Sequence, residues 1–411
     1  MWKKPWGLSE GIGICSGLVV IGLSLQLTIG NISWSNFAYP INICLLLAYL
    51  LILIVLYTLR QRIYLVRWAM TYQAALPALA FTVGMTFLMG MIRQIPESAP
   101  TTDILGFSKM ISCWSFVLVY IWMTTLLGWV SIKHLHHFQW RKIPFLLNHL
   151  GLFIALLCAT LGSADMQRLT MQTQVGQTEW RAIDEQQRIQ ELPLAIELQS
   201  FTIDQYPPKL MLIDNATGQA LPKEKPEHLL VEEGMKEGTL CGWNVQILDN
   251  LDMAASVTEN DSIKFVEWHS MGATSATHIL VTSPDGKLTR QGWVSCGSFA
   301  FPYQALRLND EYSLVMPDRE PQRFASNVKI YTQSGQQQET EIVVNRPAEI
   351  DGWKIYQLSY DETKGRWSDI SIFELVTDPW LPWVYLGIIL MIMGAVCMFV
   401  TAQKDKKEEE E

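Results

Sequence analysis

The sequence predicts a polytopic α-helical membrane protein of about six spans that carries a large, mainly antiparallel β domain outside the cytoplasm. Three observations predict it. Apolar residues make up 49% of the 411 positions and are gathered into long uncharged blocks. Basic residues are distributed unequally between alternate connections. Finally, one long stretch between the fifth and sixth blocks changes to a period of two, the period of a strand with one buried face.

The blocks come first. Five without any charge cover roughly 12–31, 39–58, 74–92, 111–132 and 145–162, and a sixth, WLPWVYLGIILMIMGAVCMFVT, covers 380–401. A helix rises about 1.5 Å per residue and a hydrocarbon core is about 30 Å thick, so each block is long enough to span it. The third is the weakest, because Pro77 is expected to interrupt it. The first follows Lys3 and Lys4 but is longer than a signal-peptide core and has no small-x-small site after it, so it reads as a retained anchor.

Orientation follows from the basic residues. With the N-terminus cytoplasmic, the inner segments hold Lys3, Lys4, Arg60, Arg62, Arg67, Lys133, Arg141, Lys142, Lys404, Lys406 and Lys407, against Arg93 and Lys109 in the short opposite loops. That bias places both termini in the cytoplasm and 163–378 outside. The expected division is a five-span membrane domain at 1–162, an outer β domain at 163–378, a final span at 379–402 and a solvated charged tail at 403–411.

The outer segment has 18 Lys and Arg against 32 Asp and Glu, a net charge of −14. Such a surface repels nucleic acid and favours basic partners, although plain solubility explains it equally well. Its opening residues, DMQRLTMQTQVGQTEWRAIDEQ, read as a polar continuation followed by a loop. Strand patterns then appear at 192–203, 239–249, 262–269, 278–283, 327–333, 340–345 and 353–360, with turn signals at Asn215 to Gly218, Pro284-Asp285-Gly286, Gln333-Ser334-Gly335 and Asp351-Gly352. Many short strands with little helix between them predict a sandwich or open barrel, with 223–238 as a helical or irregular insertion. Cys241 and Cys296 are the only cysteines of this segment, and their pairing stays open.

Chemistry is sparse. There is no GxSxG, HExxH, Walker or dinucleotide motif, so no catalytic residue is assigned. His228, His269 and His278 lack metal-ligand spacing. His134, His136 and His137 lie in KHLHHFQWRK, a basic loop of positive-inside character that a metal or a haem propionate could touch. His149 differs, because it stands beside Asn148 near the start of FLLNHLGLFIALLCATLG, an otherwise apolar span. Imidazole there needs a hydrogen-bond partner or a metal. The residues themselves leave both readings open.

NHLGLFIALLCATLGSAD, followed by a long acidic β-rich segment, then PAEIDGWKIYQLSYDE and DPWLPWVYLGIILMIMGA, resembles the ResB (CcsB) family of System II cytochrome c biogenesis. The family usually has four spans, so six is a departure. The resemblance implies a subunit of the haem-attachment (synthase) complex, which carries haem b across a bacterial inner membrane and presents it to apocytochrome c. It implies a CcsA-type membrane partner and a non-catalytic or co-catalytic role in the synthase (haem lyase) reaction. Residue for residue, it implies that His149 is an axial ligand of haem iron, with the second ligand coming from another chain. Membrane lipid is the surrounding solvent, and no nucleic acid is expected. The competing expectation is a non-enzymatic receptor or assembly scaffold whose outer domain binds a protein, with His149 a packing residue.

Overall fold

The computed structural model describes residues 2–97, 99–259 and 262–410, with side chains as far as residue 400. The reading of 403–411 as a solvated tail therefore concerns side chains outside the described residues. Two compact units are present, one made of residues 1–167 and 377–411 and the other of 168–376.

The first unit is helical. Its long helices are α1 (Leu8–Ile29), α2 (Ile41–Thr58), α4 (Tyr72–Met91), α5 (Trp114–His136), α6 (Ile143–Gly162) and α7 (Leu381–Glu410), with a short α3 (Tyr64–Ala69) between α2 and α4. Among the described residues, six helices are long and apolar enough to cross a membrane. The chain is accordingly a multi-pass membrane protein, as the sequence predicts. Only 11% of the α7 span is buried within the chain, so most of its apolar surface needs lipid or another protein around it.

Pro77 does not interrupt α4. It sits in the second turn, and its ring together with the Gln73 carbonyl is covered by Gly11 of α1, where an added Cβ would lie 2.7 Å from Gln73 O and 2.8 Å from Pro77 Cγ. The carbonyl that proline strips of its helical donor is thus shielded by a neighbouring backbone, and the helix survives.

Close backbone packing joins α6 to α7. A Cβ on Gly151 would lie 2.5 Å from Gly387 O, and one on Gly387 would lie 2.6 Å from Ala155 N. Two turns further along α7, Gly394 presses against the backbone of Asn148 and the carbonyl of Pro144. Glycine here lets two helix backbones touch, the usual route to strong association where no hydrophobic driving force exists between helices. Asn148 adds an interhelical hydrogen bond, donating its Nδ2–H to Met391 O at 3.3 Å.

The second unit is built from β1 (Gln167–Gln174), β2 (Thr178–Ile183), β3 (Ile189–Gln205), β4 (Lys209–Asp214), β5 (Leu229–Leu230), β6 (Glu237–Leu240), β7 (Trp243–Glu259) and β8 (Ser262–Glu267). After these come β9 (Thr274–Thr282), β10 (Thr289–Ser295), β11 (Leu306–Arg307) and β12 (Tyr312–Val315). The last five are β13 (Pro321–Thr332), β14 (Gln337–Val343), β15 (Ala348–Ile350), β16 (Trp353–Tyr360) and β17 (Ile370–Thr377). Eight strands in the order β14-β13-β3-β2-β1-β17-β16-β15 curl into a nearly closed barrel. Its interior is mainly apolar, with Ile196, Leu198, Ile330, Ile355 and Phe373 fully buried, around a small polar group of Ser326, Gln357 and Ser371. A five-stranded sheet (β10-β9-β7-β6, with β8 paired to β7) and a four-stranded sheet (β11-β12-β4-β5) share a separate core around Leu212, Trp243, Ile279 and Leu314. The β domain is therefore antiparallel, part barrel and part sandwich.

One local expectation needs correction. The stretch after α6 is not a polar continuation and loop, because β1 and β2 occupy it. The alternation is real in β1, with Leu169, Met171 and Thr173 buried, but its outward residues are Gln, Arg and Thr and dilute the hydrophobic signal; β2 buries only Ala182. Of the two forms expected for residues 223–238, the irregular one is found: apart from β5 and the start of β6 they are turns and irregular chain. Cys241 and Cys296 are both free thiols.

Candidate functional site

His149 sits on the second turn of α6. Its Nδ1 lies 2.9 Å from the Phe145 carbonyl oxygen, four residues earlier on the same helix. A carbonyl can only accept, so Nδ1 carries the proton and Nε2 keeps the lone pair. Among the described residues no hydrogen bond reaches Nε2. The question that the sequence poses is answered inside the helix: the first polar atom of the ring is satisfied by its own backbone, and the second is left as an acceptor or a ligand.

The ring is also fixed in direction. Phe145 stacks on His149 with centroids 3.7 Å apart and 24° between the planes. The other side of this aromatic group is taken by His134 of α5, centroid 4.6 Å from Phe145. His134 repeats the pattern of His149, with Nδ1 2.9 Å from Val130 O. Asn148, one position before, points into the α7 interface, and Gly151 and Ala155 lie on that same face, while Phe153 packs on Gly128 of α5. His149 thus emerges between the α5 and α7 contacts, half-buried. Phe153 and Leu156, which helical spacing aligns with it, are not its stacking partners.

A neutral imidazole with its N–H bonded to a carbonyl is the usual state of a metal-ligating histidine, because the second hydrogen bond fixes both tautomer and orientation. The donor chemistry therefore fits haem iron. Among the described residues no group of three or more His, Cys, Asp or Glu side chains is placed to hold a metal ion. His149 would be a single protein ligand from this chain. His136 and His137 contact each other, centroids 4.5 Å apart, and His136 packs on Tyr57. In the β unit, His269 pairs with Glu267 at 2.8 Å and His278 stacks on Trp293, so neither belongs to a metal cluster.

Two features were beyond sequence reasoning. Just past the far end of α6, Asp165 accepts hydrogen bonds from Tyr39 N, Asn42 Nδ2 and Trp380 Nε1, each at 2.7 Å. Burial pushes its carboxyl up, but these three donors outweigh it and hold it below the ordinary carboxylate value. The second feature is a cleft of about 840 Å³ in the β unit, lined by Thr274, Ser275, Cys296, Arg319, Arg366 and Trp367 among others. Arg319 and Arg366 both pair with Asp252. Burial lowers Arg366 below its ordinary value, with the nearby Arg319 adding to the effect and Asp252 opposing it. Positions 252, 319 and 366 are too far apart in the chain for any motif to reveal them.

Most of that cleft comes from a single stretch, Ala273 to Trp367. Residues 271–369 match the family model of the ResB-like family. The ResB resemblance read from the sequence is borne out over this segment, which includes the Gly352-Trp353-Lys354-Ile355-Tyr356-Gln357 strand but neither the His149 nor the Asp378-Pro379 stretch. The general role that a ResB-like segment implies is in cytochrome c biogenesis. No curated protein matches the chain. Within the ResB-like segment the strand motif is structural. Trp353, Ile355 and Gln357 face the barrel interior, where Gln357 Oε1 accepts from Ser326 Oγ at 2.6 Å and its Nε2 donates to Ser371 Oγ at 2.7 Å.

Proposed function

We propose that this protein is the haem-carrying subunit of a cytochrome c haem-attachment complex in a bacterial inner membrane. The observation that carries this reading is the Nε2 of His149, held in direction by Phe145 and without a hydrogen-bond partner among the described residues. Haem b is cargo here. His149 supplies one axial nitrogen, and a CcsA-type partner supplies the other. The bias of basic residues supports an orientation with both termini cytoplasmic and the β unit on the periplasmic side, which puts His149 near the inner face of the membrane. Delivery to apocytochrome c takes place on the opposite side, where proximity and orientation of haem vinyl groups and cysteine thiols account for most of the acceleration. No general acid or base is assigned to this chain.

The test is an absorption spectrum of the protein co-purified with its companion subunit, as wild type, His149→Ala and His149→Gly. A low-spin Soret band that both variants lose, and that added imidazole restores in His149→Gly, supports the reading. Unchanged haem content in the variants would return His149 to a packing role and favour the receptor or scaffold alternative.

A further inference from the structure

The β unit is strongly acidic, yet its cleft contains a cationic pair that it does not neutralise. The Arg319 side chain is 11% exposed and that of Arg366 17%, and both turn to one carboxylate, Asp252, itself 64% exposed. Arg319 is fully engaged. It also donates to Tyr206 O at 2.8 Å, Gln205 O at 3.4 Å and Ser275 Oγ at 3.1 Å. Arg366 is not. Its Nη2 donates to Asp252 O at 2.8 Å and Ala273 O at 3.3 Å, its Nη1 reaches Asp252 only at 3.4 Å, and among the described residues Nε has no partner. Carbonyl dipoles satisfy N–H groups without cancelling charge. Two guanidiniums against one carboxylate therefore leave an excess positive charge in a largely desolvated site, an arrangement that costs stability unless an anion completes it.

Other acids of the cleft do not serve. Glu362 and Asp318 are exposed and form no ion pair with either arginine among the described residues, and Lys364 takes Asp369 at 2.5 Å. The remaining wall is aromatic. Phe299 and Tyr303 are 50% and 69% exposed, and Phe301 and Trp367 line the same space. Exposed aromatic rings beside a planar, bidentate donor suit a ligand with an anionic end and an apolar body.

We propose that this cleft binds a carboxylate-bearing amphiphile, with the carboxylate on Arg366 beside Arg319 and the apolar body on Phe299, Phe301 and Tyr303. The site is separate from His149. The haem-carrying reading enters only in the choice of a porphyrin as probe.

The experiment uses the full chain in phosphatidylcholine nanodiscs and iron-free protoporphyrin IX, whose lack of iron removes any ligation by His149. Porphyrin fluorescence anisotropy, corrected for empty nanodiscs, is expected to show saturable binding. Esterifying both propionates should weaken it at least about tenfold, and so should Arg366→Gln, since each removes one partner of a buried charged pair. Tyr303→Ala should weaken it. Asp252→Asn should tighten it several-fold, because it removes the internal competitor for the guanidiniums; a merely structural Asp252 would give no such gain. Displacement by palmitate supports the site with a linear acid as its source, and resistance to palmitate supports it with a flat one. Equal binding of the free acid and its dimethyl ester to the wild type overturns the proposal, whatever the variants do. That outcome leaves the Soret test of His149 untouched.

Discussion

Asp165 accepts a 2.7 Å hydrogen bond from the indole N–H of Trp380, a residue 215 positions later in the chain. The same carboxylate oxygen accepts from Asn42, whose amide also donates to Leu161 O at 3.1 Å, and the other oxygen caps the Tyr39 amide. One side chain thus ties together the start of α2, the end of α6 and the start of α7. Just inside this clamp the Trp380 ring lies against Gly162, where a Cβ would come 2.4 Å from Trp380 Cβ.

Asp165→Ala should strand three donors and cost about 2–4 kcal/mol, the range expected for lost hydrogen bonds to a charged, half-buried group. The pH dependence has a definite sign. The folded carboxyl is held below its unfolded value, so its contribution is present at neutral pH and is lost as pH falls from about 4 through the folded value. Thermal unfolding in nanodiscs should show a gap between wild type and Asp165→Asn that is constant above about pH 5 and closes in acid. A gap that grows in acid would contradict the assignment.

Gly387→Ala should be destabilising by about 1–3 kcal/mol or more, because the new methyl meets backbone rather than a movable side chain. Gly84→Ala is the control. Nothing lies within 4 Å of a Cβ there, so its effect should stay within about 0.5 kcal/mol. Equal effects at the two positions in a melting experiment would remove the direct α6–α7 backbone contact from the account.

Gln357→Leu should cost about 2–4 kcal/mol in the stability of the β unit, because Ser326 and Ser371 lose buried partners and the barrel interior must accommodate a different shape. The check is limited proteolysis combined with a thermal melt. If His149 ligates haem as proposed, the haem spectrum should be unchanged, since that ligation does not involve the barrel.

On the proposed ligation of haem by His149, Phe145→Ala should leave haem bound but more weakly, by several-fold. The helix carbonyl that holds Nδ1 is retained, and the ring that limits imidazole rotation is lost. Phe145→Tyr retains the stack and should behave as wild type. The measurement is haem retained per protein after washing, read at the Soret band. Identical retention in Phe145→Ala would mean that the backbone hydrogen bond alone orients His149.

The sequence by itself determined the elements whose cause is local or periodic. Six apolar spans are legible because a helix in lipid must be apolar over its whole length, and most strands are legible because one buried face imposes a period of two. His149 is legible as well, since an imidazole in an apolar stretch stands out against leucine and alanine; His134 and His136, expected in a loop, instead lie in the last turn of α5. β1 and β2 were hidden because their outward faces are polar. Only the tertiary structure decided the rest. It showed that Phe145, not Phe153 or Leu156, is the partner of His149, that Pro77 is absorbed by Gly11, and that Asp165 meets Trp380. It also brought Arg319 and Arg366 to one cleft, both paired with Asp252. These depend on which backbones touch and which distant carbonyls, carboxylates and rings share a few ångströms of space, and a linear chain carries no local trace of such pairings.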